Sequence, residues 1–449
     1  MANPYLPTWE YIPDGEPRVF GDRVYIFGSH DKAGNAEFCD WVLKCWSAPV
    51  DNPTQWVCHG DIFHVYRDRD HESDTEWTSE RARLFAPDVV EKDGKYYLYA
   101  YIQESKGCVA VADRPEGPYK LVSQYKYNLP EPAVNGGAFI DPGVLVDDDG
   151  KVYIYCGYLY SYMAQLNPDN MYEVLDDSYI GDIIPKETTP NGNFTQDESL
   201  FFEACSPRKV GDTYYLIYSP KTCPRLAYAT SDKPTGPFTY RGYIIDNSVD
   251  YPGGNDHGSI CNVNGQWYIF YHRMTNGTIM SRRGCVEKIQ ILPDGTIPPV
   301  EMTCLGFEDY LNPYRVTDAD IACVLKNGGR ITEKNEFERV ITDITDQTVM
   351  GYKYYEFGED NSSKTMEFSA NVVGCGADCH LHILIDGEEG EEIGCVDIGH
   401  DSGVVRTIVK AVTGRHSVFF KVSTDYTGWM GDYFKGRCLF ELKSFVFMK

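Results

Sequence analysis

No stretch of this 449-residue chain is long and apolar enough to cross a bilayer. Basic residues are comparatively scarce: 41 Lys and Arg face 67 Asp and Glu, for a formal net charge of −26. Such a surface repels phosphate, which argues against a nucleic-acid or membrane partner and fits a neutral substrate. The 15 cysteines are odd in number and scattered, so no small disulfide framework is implied. Cys156 and Cys261 lie inside apolar runs, where thiols act as small core groups. Cys375 and Cys379 lack the second ligand pair that a structural zinc needs. The opening MANPYLPTWEYIPDG has neither a basic stretch nor an apolar leader core. Together these absences lead us to expect a reduced, cytoplasmic protein.

What the chain does have is aromatic and turn-forming residues. Tyr alone numbers 34, and Gly (41) and Pro (25) supply frequent reversals. This mixture favours strands joined by tight turns, hence an all-β protein. The length is too great for one ordinary core, so two domains are expected.

One pattern recurs five times: a polar residue, an apolar alternation, a glycine turn, then an aromatic-rich alternation. It reads DGEPRVFGDRVYIFGS from Asp14, FAPDVVEKDGKYYLYAY from Phe85, FIDPGVLVDDDGKVYIYCG from Phe139, FEACSPRKVGDTYYLIYS from Phe202 and HGSICNVNGQWYIFYHR from His257. Each copy has the form of a β-hairpin. The turn glycines Gly21, Gly94, Gly150, Gly211 and Gly265 recur roughly every 55 to 75 residues, the size of a four-stranded blade with loops. A five-bladed β-propeller follows as the expected fold over residues 1–305. In a propeller the first strands surround one axis, so the residues that open them converge. Those openers are Asp14, Asp88, Asp141, Glu203 and His257. Any one such acid is an ordinary turn former; four acids and a histidine in register point to a shared pocket.

Carboxylates without a catalytic thiol, a hydroxyl triad or a phosphate loop suit cleavage of a glycosidic bond. One acid must keep its proton to protonate the leaving oxygen, and another must stay ionised to activate water. When water attacks directly, the two groups stand roughly 6.5–9.5 Å apart.

At these residues the chain resembles glycoside hydrolase family 43, whose members are five-bladed propellers that invert the anomeric centre. Asp14, seven residues before the Gly-Asp-x-x-Tyr turn at Gly21, matches the family's general base; Glu16 is a second candidate, because the motif reads DGEP here. Asp141-Pro142 matches the acid that tunes and orients the proton donor. Glu203, in FFEACSPRKVGDTYYL, matches the general acid. Asp88, in APD, matches a supportive acid. His257 matches an axial histidine that holds Ca²⁺ or a similar cation, often through water. Arg282, with Arg283 beside it as an alternative, matches an arginine expected to hold Asp141 ionised. No organic cofactor is implied. Among aromatics near the rim (Trp9, Phe27, Trp77, Phe201, Tyr251), Trp9 and Phe201 are the candidates for a sugar platform, and His30 is a further pocket candidate.

The resemblance implies an exo-acting α-L-arabinofuranosidase or β-D-xylosidase on short oligosaccharides. The alternatives are a non-catalytic sugar-binding propeller, or a related glycosidase acting on another sugar such as galactose. A retaining fructosidase is disfavoured, because its Asn-Asp-Pro-Asn opening is missing. Residues 306–449 alternate in short segments such as CHLHILIDG and RHSVFFKVS, expected to form a β-sandwich. They resemble family 6 carbohydrate-binding modules, with Tyr426, Trp429 and Tyr433 as candidate sugar contacts. Packing on the propeller is the competing role for this domain.

Overall fold

The computed structural model describes residues 2–103, 106–124, 139–184, 200–222, 224–360 and 362–449. Among the described residues, all regular structure is strand except a 3-10 turn at Ala319–Ile321 and a short helix at Gly428–Phe434. The five turn glycines of the repeats all carry positive φ, between 59° and 87°. A Cβ at any of them would meet nothing within 4 Å. Glycine is therefore needed there for its left-handed backbone, which is what a tight hairpin demands, and not for space.

Five antiparallel sheets follow one another along the chain, each a simple meander. Their first strands are Glu16–Phe20, Asp88–Lys92, Gly143–Val146, Phe201–Val210 and Ser259–Val263. Neighbouring sheets pack in cyclic order, and the fifth returns to the first, which makes a five-bladed propeller. The fifth sheet has three strands where the others have four. The start of the chain completes it: Asn3 exchanges hydrogen bonds with Val286 in both directions (2.8 Å each), and the Tyr5 amide donates to Gly284 O.

Buried polar pairs tie the blades together along the first strands. Arg18 of the first blade donates to Asp88 of the second and to Val144 O of the third. Arg208 of the fourth donates to Glu16 of the first at 2.7 Å, and Ser206 donates to Ser259 of the fifth at 2.6 Å. Mutual pairing lets these charges remain inside the ring.

After the fifth blade the chain builds two further sheets. One orders Arg330–Asn335, Glu338–Ile344, Phe440–Met448, Thr365–Gly374 and Gly403–Lys410; the other orders Val324–Lys326, Val349–Glu356, Arg415–Ser423, Cys379–Ile385 and Glu391–Ile398. Tyr352, Phe368, Phe420, Phe445 and Phe447 interlock between them, so the arrangement is a β-sandwich. Its attachment to the propeller includes a buried ion pair, Arg283 to Asp320 at 2.9 Å. Among the described residues, the fourteen cysteines are free thiols, most of them buried.

Candidate active site

Asp14, Asp141, Glu203, His257 and Arg282 line one cavity of about 240 Å³, together with Phe38, Phe85, Ile140, Tyr158 and Asn255. The local backbone aims the acids. Asp14 and Asp141 each stand two residues before their strands and hold left-handed backbone, φ 56° and 47°. Asp tolerates that region better than most residues. Glu203 lies within its strand, where the register slips on both sides of it. With Ala204 at φ 70°, this bulge turns Glu203 toward the mouth.

The three carboxylates occupy different electrostatic settings. Asp14 accepts from Arg282 Nη1 at 2.8 Å and from Ser29 Oγ at 2.7 Å. Burial is the largest influence and would lift its pKa, but the Arg282 guanidinium, together with the neighbouring histidines and the Ser29 hydroxyl, outweighs it and holds the carboxyl below its usual value. Glu203 has no such partner. Burial first, then the charge of Asp14, push it up to about 7. Asp141 is raised as well, by burial and by Glu203 facing it, although it accepts a hydrogen bond from the Ala204 amide. Asp141 and Glu203 thus behave as a pair that retains a proton near neutrality. The expectation that Arg282 would hold Asp141 ionised is not met. The guanidinium is committed elsewhere, to Asp14 and, through Nε and Nη2, to Asp31 at 2.8 and 3.0 Å.

Two competitions left open by the sequence are resolved in the structure, the one between the arginines by strand alternation. Arg282 faces the cavity, and Arg283, its neighbour on the strand, faces the sandwich and Asp320. Glu16 points along the axis to Arg208 and does not line the cavity.

Other candidates lie elsewhere. Asp88 sits inside its strand and not ahead of it. It is fully buried, bridging Arg18 and the amides of Val89 and Val144. The second blade instead presents Phe85 to the cavity, three residues nearer the mouth. His30 turns away between Ser29 and Asp31 to meet Glu10 (3.2 Å) and Asp40 (3.4 Å). Phe201 is core, packed on Tyr218 at 5.7 Å, and Phe27 and Tyr251 are buried as well. Trp9 is 50% exposed against Trp46, outside the cavity lining. On the sandwich, Trp429 and Tyr433 are exposed on the short helix, and Tyr426 stacks on Phe434 at 4.2 Å.

Sequence reasoning missed Asp31, Ser29, His272 and the cavity aromatics Phe38, Phe85 and Tyr158. His272 is fully buried, and its Nδ1 accepts from the Asp14 amide (3.4 Å) while Nε2 reaches Asn255 O (3.0 Å). That pattern requires a neutral ring, in keeping with burial lowering its pKa to about 3. The available signal was position: Ser29 and Asp31 follow the first hairpin, Tyr158 follows the third blade's Gly157, and Phe85 opens the quoted second repeat.

His257 is also neutral, lowered to about 4 by burial, with Nδ1 3.8 Å from Asp14 Oδ1. As a cation site it offers one nitrogen. Its nearest carboxylate already serves Arg282, and the groups of three ligating side chains among the described residues lie elsewhere. That donor set does not form the oxygen cage that Ca²⁺ prefers; any ion at His257 depends on water for the rest of its shell.

Residues 63–297 match the family model for glycosyl hydrolases family 43. A xylosidase/arabinosidase of Thermoclostridium stercorarium is 43% identical over 370 residues, covering 76% of this chain and 74% of that protein. A β-xylosidase/α-arabinofuranosidase from a compost metagenome, solved with xylotriose in a calcium-free form, is 28% identical with a TM-score of 0.51, covering 66% of this chain and 96% of its own. For the fold alone, the arabinoxylan arabinofuranohydrolase of Bacillus subtilis is similar across both domains: TM-score 0.54, 23% identity, 100% of this chain and 97% of that one. The chain belongs to glycosyl hydrolases family 43, and it is a glycoside hydrolase.

Proposed function

We propose that the protein is an exo-acting, inverting pentosidase that releases L-arabinofuranose, D-xylose or both from short oligosaccharides. The observation that carries this reading is the division of labour in one small cavity. An ionised carboxylate, Asp14, and a carboxyl held protonated near neutrality, Glu203, both face it. At about 240 Å³ the cavity is smaller than the roughly 300–1,000 Å³ of drug-sized pockets, which suits one terminal sugar unit. The pentose assignment rests on the names of the similar xylosidase/arabinosidases.

In this reading Glu203 donates its proton to the leaving oxygen, and Asp14 takes a proton from the attacking water. Arg282 keeps Asp14 ionised, Asp31 anchors Arg282, and His272 and Ser29 fix the orientation of Asp14. Asp141 faces Glu203 and shares the proton of the pair. Phe38, Phe85 and Tyr158 offer apolar faces to the sugar ring. A cation at His257, where present, adds positive potential at the axis and takes no part in proton transfer.

The test is a panel of nitrophenyl glycosides with NMR of the released sugar. Turnover of α-L-arabinofuranoside or β-D-xyloside with an inverted first-formed anomer is expected. Retention would remove the direct water attack. Sugar binding without turnover of any glycoside would make the propeller a binding protein.

A further inference from the structure

We propose a transition-metal site on the outer face of the sandwich, built from His380, Cys395 and Asp397 and selective for a borderline-soft divalent ion such as Zn²⁺. The adjacent strands Cys379–Ile385 and Glu391–Ile398 pair His380 with Asp397 and His382 with Cys395. Side chains alternate along a strand, so all four stand on one face. Leu381, Ile383, Val396 and Ile398 point the other way, into the core. Cys379, the thiol the sequence drew attention to, is on that buried side.

The donor atoms of His380, Cys395 and Asp397 lie within 4.8 Å of one another. Tetrahedral Zn²⁺ with bonds of about 2.0–2.3 Å needs ligand separations of about 3.3–3.8 Å, within reach of small side-chain rotations. A nitrogen, a sulfur and a carboxylate oxygen form the mixed set that zinc favours and calcium does not. His380 Nδ1 already meets Asp397 at 2.8 Å, so the ion takes the place of the proton between them. Its other nitrogen meets Asp425 at 3.1 Å, the supporting carboxylate that orients histidine ligands at zinc. The fourth position falls to water or to His382, whose ring centroid is 6.4 Å from that of His380. Glu391–Ile398 is the edge strand of its sheet, so the ion would pin an edge to the strand beside it.

Titration of the full-length protein with Zn²⁺ by calorimetry tests this. One equivalent should bind and raise the melting temperature, and His380→Ala and Cys395→Ser should each weaken binding at least about tenfold. With Co²⁺ as probe, a thiolate-to-metal charge-transfer band should appear and vanish in Cys395→Ser. Pentoside turnover should stay within about twofold in both variants, because neither residue touches the cavity. Absence of stoichiometric Zn²⁺ binding overturns the proposal. So does binding unchanged in both variants, which would move the ion to the second group, Asp61, His64 and His71.

Discussion

Replacing Glu203 by Gln keeps the size of the side chain and removes only the proton it can give. In the native cavity burial and the charge of Asp14 raise this carboxyl from 4.5 to about 7. At pH 6, about nine-tenths of the molecules then carry the proton, against about 3% for an ordinary glutamic acid. The raised pKa thus enriches the active acid about thirtyfold, and the native rate should fall as pH rises through about 7. General acid catalysis contributes about 10²–10⁴ in rate, or roughly 2.7–5.4 kcal/mol of barrier. We expect that full loss in Glu203→Gln for an oligosaccharide, whose departing alkoxide must be protonated. A dinitrophenyl pentoside, whose leaving group departs as a stable anion, should lose less than about tenfold. The assay is kcat on both substrates across pH, with the native profile read as the apparent value of the Asp141 and Glu203 pair. Equal losses on the two substrates would refute Glu203 as the proton donor.

Three further outcomes follow from the site. Asp14→Asn should lower turnover more than about a hundredfold on both substrates alike, since water activation is common to them; near-native kinetics would reassign the base. Asp31→Asn removes a carboxylate that repels Asp14 and leaves the Arg282 charge to Asp14 alone, so the pKa of Asp14 should fall and the acid limb of the pH–rate profile move downward, whereas an unmoved limb would make Asp31 purely structural. Asp88→Asn leaves Arg18 without its charge partner inside the ring. It should cost about 3–5 kcal/mol of stability, read as a lower melting temperature, with kcat of the folded enzyme within about twofold. A fall in kcat without loss of stability would return Asp88 to the substrate site.

Apart from Arg282, to which only the family resemblance pointed, the all-β class, the five repeats and the convergence of Asp14, Asp141, Glu203 and His257 were legible in the chain itself. They rest on local rules: strand alternation, turn glycines, and copies in register that must face one axis. Asp88 shows where that logic ends. It obeys the repeat, six residues before its glycine where the others stand seven to nine, but its carboxylate is taken by Arg18 of the neighbouring blade and by the amides of Val89 and Val144. Pairing across blades was decided only by tertiary packing. Arg282 joins Asp14 and Asp31, more than 250 residues away, and so charges Asp14 while Asp141 keeps its share of a proton. Sequence spacing carries no record of which distant carboxylate a guanidinium will meet. Charge state in a buried site depends on that meeting and on burial, and both exist only once the ring has closed.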